Sequence, residues 1–264
     1  MLEEIKTLPP LPSSVVKIQE LCMQNDTSID DLSRVIEHDP MLSANILKSV
    51  NSPLYGMSKE ISSIPQAIML FGISMIRGFA AASAIKKGMV VDLSPYSSNI
   101  DELTHISSLQ TALVREWYQN VDKSKLPLLQ SCAFLMELGK LVASLKLIAT
   151  KNVENFSNEI IQSPFIDEVE QKYLGLSSYQ IAADMFEHWN FESVFVDALR
   201  DISNPSTQNP YAQVLAVITK AVTLKNGLSD EGLSAAFELI EKFGLDRNAF
   251  DEAVKSIKSA QDAF

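Results

Sequence analysis

Two cysteines, three histidines and a deficit of positive charge are the informative shortages of this 264-residue chain. Cys22 and Cys132 are far apart and fit no CxxC or Cys/His ligand spacing, so both read as buried free thiols of a reducing compartment. His38, His105 and His188 are its only imidazoles, so a mononuclear or dinuclear His/carboxylate centre would need more of them close together or an unusual carboxylate set. Lys and Arg number 22 against 33 Asp and Glu, a net charge of -11, and no basic run occurs. Phosphate backbones need a cationic face, so nucleic acid is not an expected partner. Also missing are GxGxxG, GxxxxGK[ST], HExxH and GxSxG, which removes motif support for dinucleotide, P-loop, zincin and hydrolase-elbow chemistry. The opening Met1-Leu2-Glu3-Glu4 has no basic region leading into an apolar core, so no secretory leader is expected. Only Ala67 to Ile85 approaches membrane-span length, and Arg77 near its centre with Gly72 and Gly78 favours buried core helices instead. The expectation is a cytoplasmic protein with no membrane partner.

What is present reads almost entirely with helical period. Hydrophobic residues make up 46% of the chain and charged ones 21%. At this length roughly 70–75% of the unfolded surface can be buried without disulfides or a structural metal. Pro9-Pro10-Leu11-Pro12 blocks helix formation and precedes a face of Val15, Ile18 and Cys22. Ser28 caps a helix with Asp30 and Asp31 in its first turn, and Asp39-Pro40 opens the next. Asn51-Ser52-Pro53 ends that helix, Pro65 opens another, and Gly72 divides it from one beginning at Ile73. Further helices are predicted over 101–117, 126–149, 153–162, 165–173, 178–187, 192–202, 211–226, 230–243 and 246–260. Met89 to Leu93 alone could pass for a strand. Polar joints fall at Ser94–Asn99 and Asn204–Pro210. The predicted fold class is all-α.

Four fragments in register carry a resemblance. Leu8-Pro9-Pro10-Leu11-Pro12 is followed by Ile36-Glu37-His38-Asp39-Pro40-Met41-Leu42, then Val50-Asn51-Ser52-Pro53-Leu54-Tyr55-Gly56. Ile61-Ser62-Ser63-Ile64 running into Ala67-Ile68-Met69-Leu70-Phe71-Gly72 completes the set. This order resembles the HDOD family, the HD-related output domain of bacterial signalling proteins, and extends more weakly to Ile202. The resemblance implies a two-lobed helical HDOD fold over residues 5–205. Its N-terminal helical lobe would span about 5–97 and an HD-like lobe about 98–205. Residues 206–264 would supply helices that pack on the HD-like lobe.

The same resemblance implies a degenerate metal site. HD-superfamily phosphohydrolases hold metal with a first His, a His-Asp pair on a central helix and later His or Asp residues. The metal lowers the pKa of a bound water there. In this chain the pattern falls on Phe134-Leu135-Met136-Glu137-Leu138-Gly139-Lys140-Leu141, with Met136 in the His position and Glu137 in that of Asp. A thioether is a poor ligand for hard or borderline metals. His105 falls at the first His, Ser178 where a later His would stand, and Asp201 near the terminal pair, beside Arg200. His38, although followed by Asp39, sits at a helix start and reads as part of a cap.

The expected site is therefore a relic cleft of His105, Met136, Glu137, Lys140, Ser178 and Asp201, with no catalytic residue, metal or cofactor. Lys140, three residues from Glu137 on one helical face, could supply the positive charge a metal supplies elsewhere. Lys140 or Arg200 is expected beside Glu137, with His105 on the same cleft wall. The function expected is a non-catalytic bacterial signal-transduction module that acts by binding a protein partner. Two alternatives stay open: a metal-dependent phosphohydrolase of nucleotides or cyclic dinucleotides with an altered ligand set, and a nucleotide-binding sensor without hydrolysis.

Overall fold

The computed structural model describes residues 2–262 apart from 25, 58, 90 and 91. Fifteen α-helices account for most of the described residues, and the only sheet among them is a two-stranded hairpin. The fold class is all-α, as the periodicity requires. The predicted strand at Met89–Leu93 includes Val90 and Val91, which lie outside the described residues. Met89, Asp92 and Leu93 belong to no strand, although Met89 has an extended backbone.

The chain divides into two compact units. Residues 9–90 form most of one, while residues 1–8 and 91–257 form the other. The division thus comes a few residues before Ser94–Asn99, and the first helix belongs with the later part of the chain.

The smaller unit contains α2 (Ser13–Cys22), α3 (Ile29–Glu37), α4 (Pro40–Val50) and α5 (Ile64–Gly88). Its helix starts are built from local chemistry. Ser28 and Asp31 close a reciprocal capping box on α3, and the Asp39 carboxylate accepts from Leu42 N–H at 3.1 Å ahead of Pro40. Cys22, expected to be buried, is half-buried, whereas Cys132 in the other unit is fully so. Asn51 holds the turn after α4. Its amide donates to the carbonyls of Leu47 and Ile61, both at 2.9 Å, and its oxygen accepts from Ile61 N–H at 2.8 Å. The edge-on rings of Tyr55, Phe71 and Phe79 fill the space that this turn encloses.

Helix α5 packs against α2, α3 and α4. Gly72 interrupts it at φ 77, ψ 161, a conformation open to glycine and strained for a residue with Cβ. The expected division at Gly72 is present as this kink. By length and composition α5 could cross a membrane, with a mean hydropathy of 1.8 over its most apolar window. However, 67% of that window is buried.

The larger unit begins with α1 (Leu2–Lys6) and resumes with α6 (Ile100–Val121). Here the 126–149 expectation needs correction. Two helices, α7 (Leu126–Leu135) and α8 (Gly139–Ala149), are joined by one 3₁₀ turn, Met136–Leu138. Four helices follow: α9 (Val153–Gln162), α10 (Ile166–Leu174), α11 (Ser178–His188) and α12 (Ser193–Arg200). The next, α13 (Pro210–Ala221), ends five residues short of its predicted limit. The chain then forms an antiparallel hairpin, Val222–Thr223 with Gly227–Leu228. Last come α14 (Asp230–Phe243) and α15 (Arg247–Asp262), of which the residues to Ile257 belong to this unit. Trp117 is fully buried and ties α6 to the C-terminal part through Asp246 O at 3.1 Å and the Phe250 ring at 4.8 Å.

Candidate functional site

Within the larger unit, six helices and turns bring ionisable and polar side chains to one buried point. The 3₁₀ turn supplies Glu137 and α8 supplies Lys140; α10 contributes Glu170, α11 Ser178, α6 Gln110 and the short turn at 94–96 Tyr96. Gln110, Glu137, Lys140, Glu170 and Ser178 are each no more than 2% exposed. Charges are almost never buried this completely unless paired.

Lys140 is the centre. Its Nζ lies 2.7 Å from Glu137 Oε2 and 3.8 Å from Glu170 Oε1, and donates to Ser178 Oγ at 2.9 Å. The aromatic faces of Tyr179 at 4.9 Å and Tyr96 at 5.9 Å complete its surroundings. Glu137 also accepts from Gln110 Nε2 at 2.8 Å, and the same amide donates to Val222 O at 2.9 Å. Glu170 accepts from Tyr96 OH at 3.0 Å and from Ser178 N–H at 2.6 Å. Gln110 Oε1 is left buried with no hydrogen-bond partner.

Backbone proximity makes this possible. A Cβ on Gly139 would lie 1.8 Å from Ser178 O and 2.8 Å from Ala182 N, so only glycine lets the start of α8 meet α11 this closely. The 3₁₀ turn before it re-aims Glu137 relative to α7.

The environment sets the protonation states. Burial depresses the Lys140 ammonium, but Glu137 and Glu170 outweigh it and hold the pKa above the ordinary lysine value. Burial pushes the Glu170 carboxyl up by more than Lys140 and the Ser178 N–H pull it down. Burial, reinforced by the neighbouring carboxylates, raises both Tyr96 and Tyr179 well above an ordinary phenol. Both phenols therefore keep their protons, and Tyr96 acts as a donor.

The HDOD domain model matches residues 8–205, three quarters of the chain. The chain belongs to the HDOD family. Its curated relatives include an uncharacterized protein of Treponema pallidum (strain Nichols), 32% identical over 71 residues. That match spans 27% of this HDOD chain and 14% of the relative's length. Two solved structures have the same fold. One is a Shewanella amazonensis protein provisionally named a phosphohydrolase: TM-score 0.68, 20% identity, 97% of this chain and 93% of that one covered. The other is a Marinobacter aquaeolei protein provisionally named for signal transduction: TM-score 0.67, 24% identity, 99% of this chain and 60% of that one covered.

Of the residues selected from the HD pattern, Glu137, Lys140 and Ser178 meet directly. Met136 is fully buried on the same 3₁₀ turn. Asp201 is half-buried and accepts from Thr207 Oγ1 at 3.3 Å, apart from the cluster. Arg200 pairs with Asp184 at 2.9 Å and Glu187 at 2.7 Å, so among the described residues Lys140 is the cation at Glu137.

His105 requires correction: it is exposed and lines no wall beside Glu137. The inward stripe of α6 runs Leu103, Ile106, Ser107, Gln110, Leu113, Val114 and Trp117. His105 stands about 200° around the helix from Leu103. Gln110 is the α6 residue that reaches Glu137. Glu170 and Gln110 were both missed, because neither belongs to a ligand pattern. Nothing in the sequence of α10 sets Glu170 apart from its neighbours Asp167 and Glu168.

These residues do not fit a metal ion. No group of three or more His, Cys, Asp or Glu side chains gathers among the described residues. The point nearest both carboxylates is taken by the Lys140 ammonium, which would repel a second cation at that distance.

Proposed function

We propose that this HDOD protein is a non-catalytic signalling module that acts by binding another protein, with the relic of the HD site serving as an internal ion-paired strut. The observation that supports this most is the full burial of Lys140 between Glu137 and Glu170. A general acid, base or metal-water nucleophile must reach its substrate within hydrogen-bond range. In this cluster each carboxylate is already engaged with protein donors, and no described member opens to solvent. Signalling is what the family resemblance implies and what the Marinobacter neighbour is named for. The acidic net charge and the lack of basic runs favour a protein partner over nucleic acid.

The phosphohydrolase reading is the competitor, since the Shewanella neighbour carries that name. A hydrolysis assay separates the two. Purified protein is incubated with cyclic dinucleotides and nucleoside phosphates in the presence of manganese or ferrous iron. The expected result is no turnover above that of Glu137→Ala. Metal-dependent turnover abolished by that substitution would overturn the proposal.

A further inference from the structure

We infer that Asn226, at the tip of the hairpin after α13, is a site of spontaneous covalent modification: its carboxamide cyclises onto the backbone nitrogen of Gly227 and is hydrolysed to aspartate and isoaspartate, with water as the only co-reactant. The inference is independent of what the Lys140 cluster does.

Asn226-Gly227 is the one Asn-Gly pair in the chain. It lies where the antiparallel strands Val222–Thr223 and Gly227–Leu228 are joined. Asn226 is exposed and its backbone N–H donates to Thr223 Oγ1 at 3.1 Å, while its carboxamide has no hydrogen bond among the described residues. Gly227 follows in the left-handed region at φ 59, without a Cβ to shield its nitrogen. Even a Cβ built there would meet nothing within 4 Å, so the approach to this residue is open.

The reaction balances without a cofactor. The Gly227 nitrogen gives its proton to solvent and bonds to Asn226 Cγ; the carboxamide C–N bond breaks and ammonia leaves. Water then opens the cyclic imide. Breaking the new bond to Cγ gives aspartate, and breaking the old bond to the backbone carbonyl gives isoaspartate, whose main chain is one carbon longer. Amide loss of this kind is part of what makes asparagine thermolabile. Either product places a carboxylate beside Lys225, whose Nζ donates to Ile161 O at 2.7 Å and Ser163 O at 3.0 Å at the end of α9.

Other asparagines are guarded. Asn204 and Asn209 precede prolines, whose nitrogen has no proton to lose. Asn45, Asn99, Asn120 and Asn152 precede β-branched Ile or Val, which crowd the attacking nitrogen. Asn51 precedes the small Ser52, but its carboxamide is fixed by Leu47 O, Ile61 O and Ile61 N–H and is not free to turn onto the next nitrogen. Local sequence and local geometry coincide only at Asn226.

The test holds the full, folded chain at physiological temperature and mildly alkaline pH, then digests it at mildly acidic pH with a glutamate-specific protease. Mass spectrometry follows peptides 193–231 and 38–60, which carry Asn226 and Asn51. An isoaspartate-specific carboxyl methyltransferase with a labelled methyl donor reads the isoaspartate formed. The amide-to-acid mass shift should accumulate at Asn226 and be absent at Asn51. Asn226→Gln should bring methyl labelling down to background, because the longer side chain closes a larger ring slowly. Far-UV circular dichroism verifies that this exposed substitution leaves the fold intact. A folded chain in which Asn226 keeps its amide, conversion of Asn51 as fast as that of Asn226, or labelling that survives Asn226→Gln would each overturn the inference.

Discussion

The Asn51 turn and the Lys140 cluster both sit on family motifs, and they are stabilised in opposite ways. Asn51 satisfies Leu47 and Ile61, four and ten residues away, with one neutral amide. The Lys140 cluster joins side chains from positions 96, 110, 137, 140, 170 and 178 and buries three charges to do so. A neutral clamp costs little desolvation and tolerates being assembled locally. A buried ion cluster is stable only if every member arrives, so it couples the folding of distant helices. The turn shapes one loop, whereas the cluster acts as a keystone for its unit.

Truncating each region should expose this difference. Lys140→Met leaves Glu137 and Glu170 buried without a cation and should cost about 3–5 kcal/mol in urea denaturation. A loss below about 1 kcal/mol would mean that the cluster is not a keystone. Asn51→Ala removes three hydrogen bonds and leaves an acceptor and a donor unsatisfied at Ile61. It should cost about 1–3 kcal/mol and stay local to the smaller unit, as hydrogen exchange of residues 51–61 would report.

A third contrast is in pH dependence. The folded chain keeps the Glu170 proton to higher pH than the unfolded chain, because burial raises that carboxyl. Its contribution to stability is complete below the unfolded value of about 4.3 and declines as pH rises through the folded value. Wild type minus Glu170→Gln should therefore fall as pH climbs from about 4 towards neutrality, the smallest of the three effects. Asn51→Ala should show no such slope, since no titratable group belongs to that clamp. A slope of the reverse sign for Glu170 would show that Lys140 and the Ser178 N–H outweigh burial.

The same contrast explains what was legible in the sequence. Ser28, Asp39 and Gly72 announced their roles because caps and kinks are settled within four residues. Glu137 and Lys140 were legible as a pair through their spacing of three, although a 3₁₀ turn and a fresh helix start replace the single helix expected. Glu170 and Gln110 were not legible. Each is fixed by partners 27 or more residues away in at least one contact, and a buried Glu or Gln looks in sequence like any solvated one. His105 misled because position in a ligand pattern was allowed to outrank the face of α6. Helical phase was the better guide. The hairpin after α13 escaped notice because two-residue strands leave no periodicity to read.

Manganese titration of chelator-treated protein, followed by its thermal midpoint, tests the central claim most directly. With Lys140 as the resident cation, the midpoint should be unchanged by millimolar manganese and by chelator, and no saturable binding should be seen. A saturable rise in the midpoint at about one metal per chain, lost in Glu137→Ala, would contradict it.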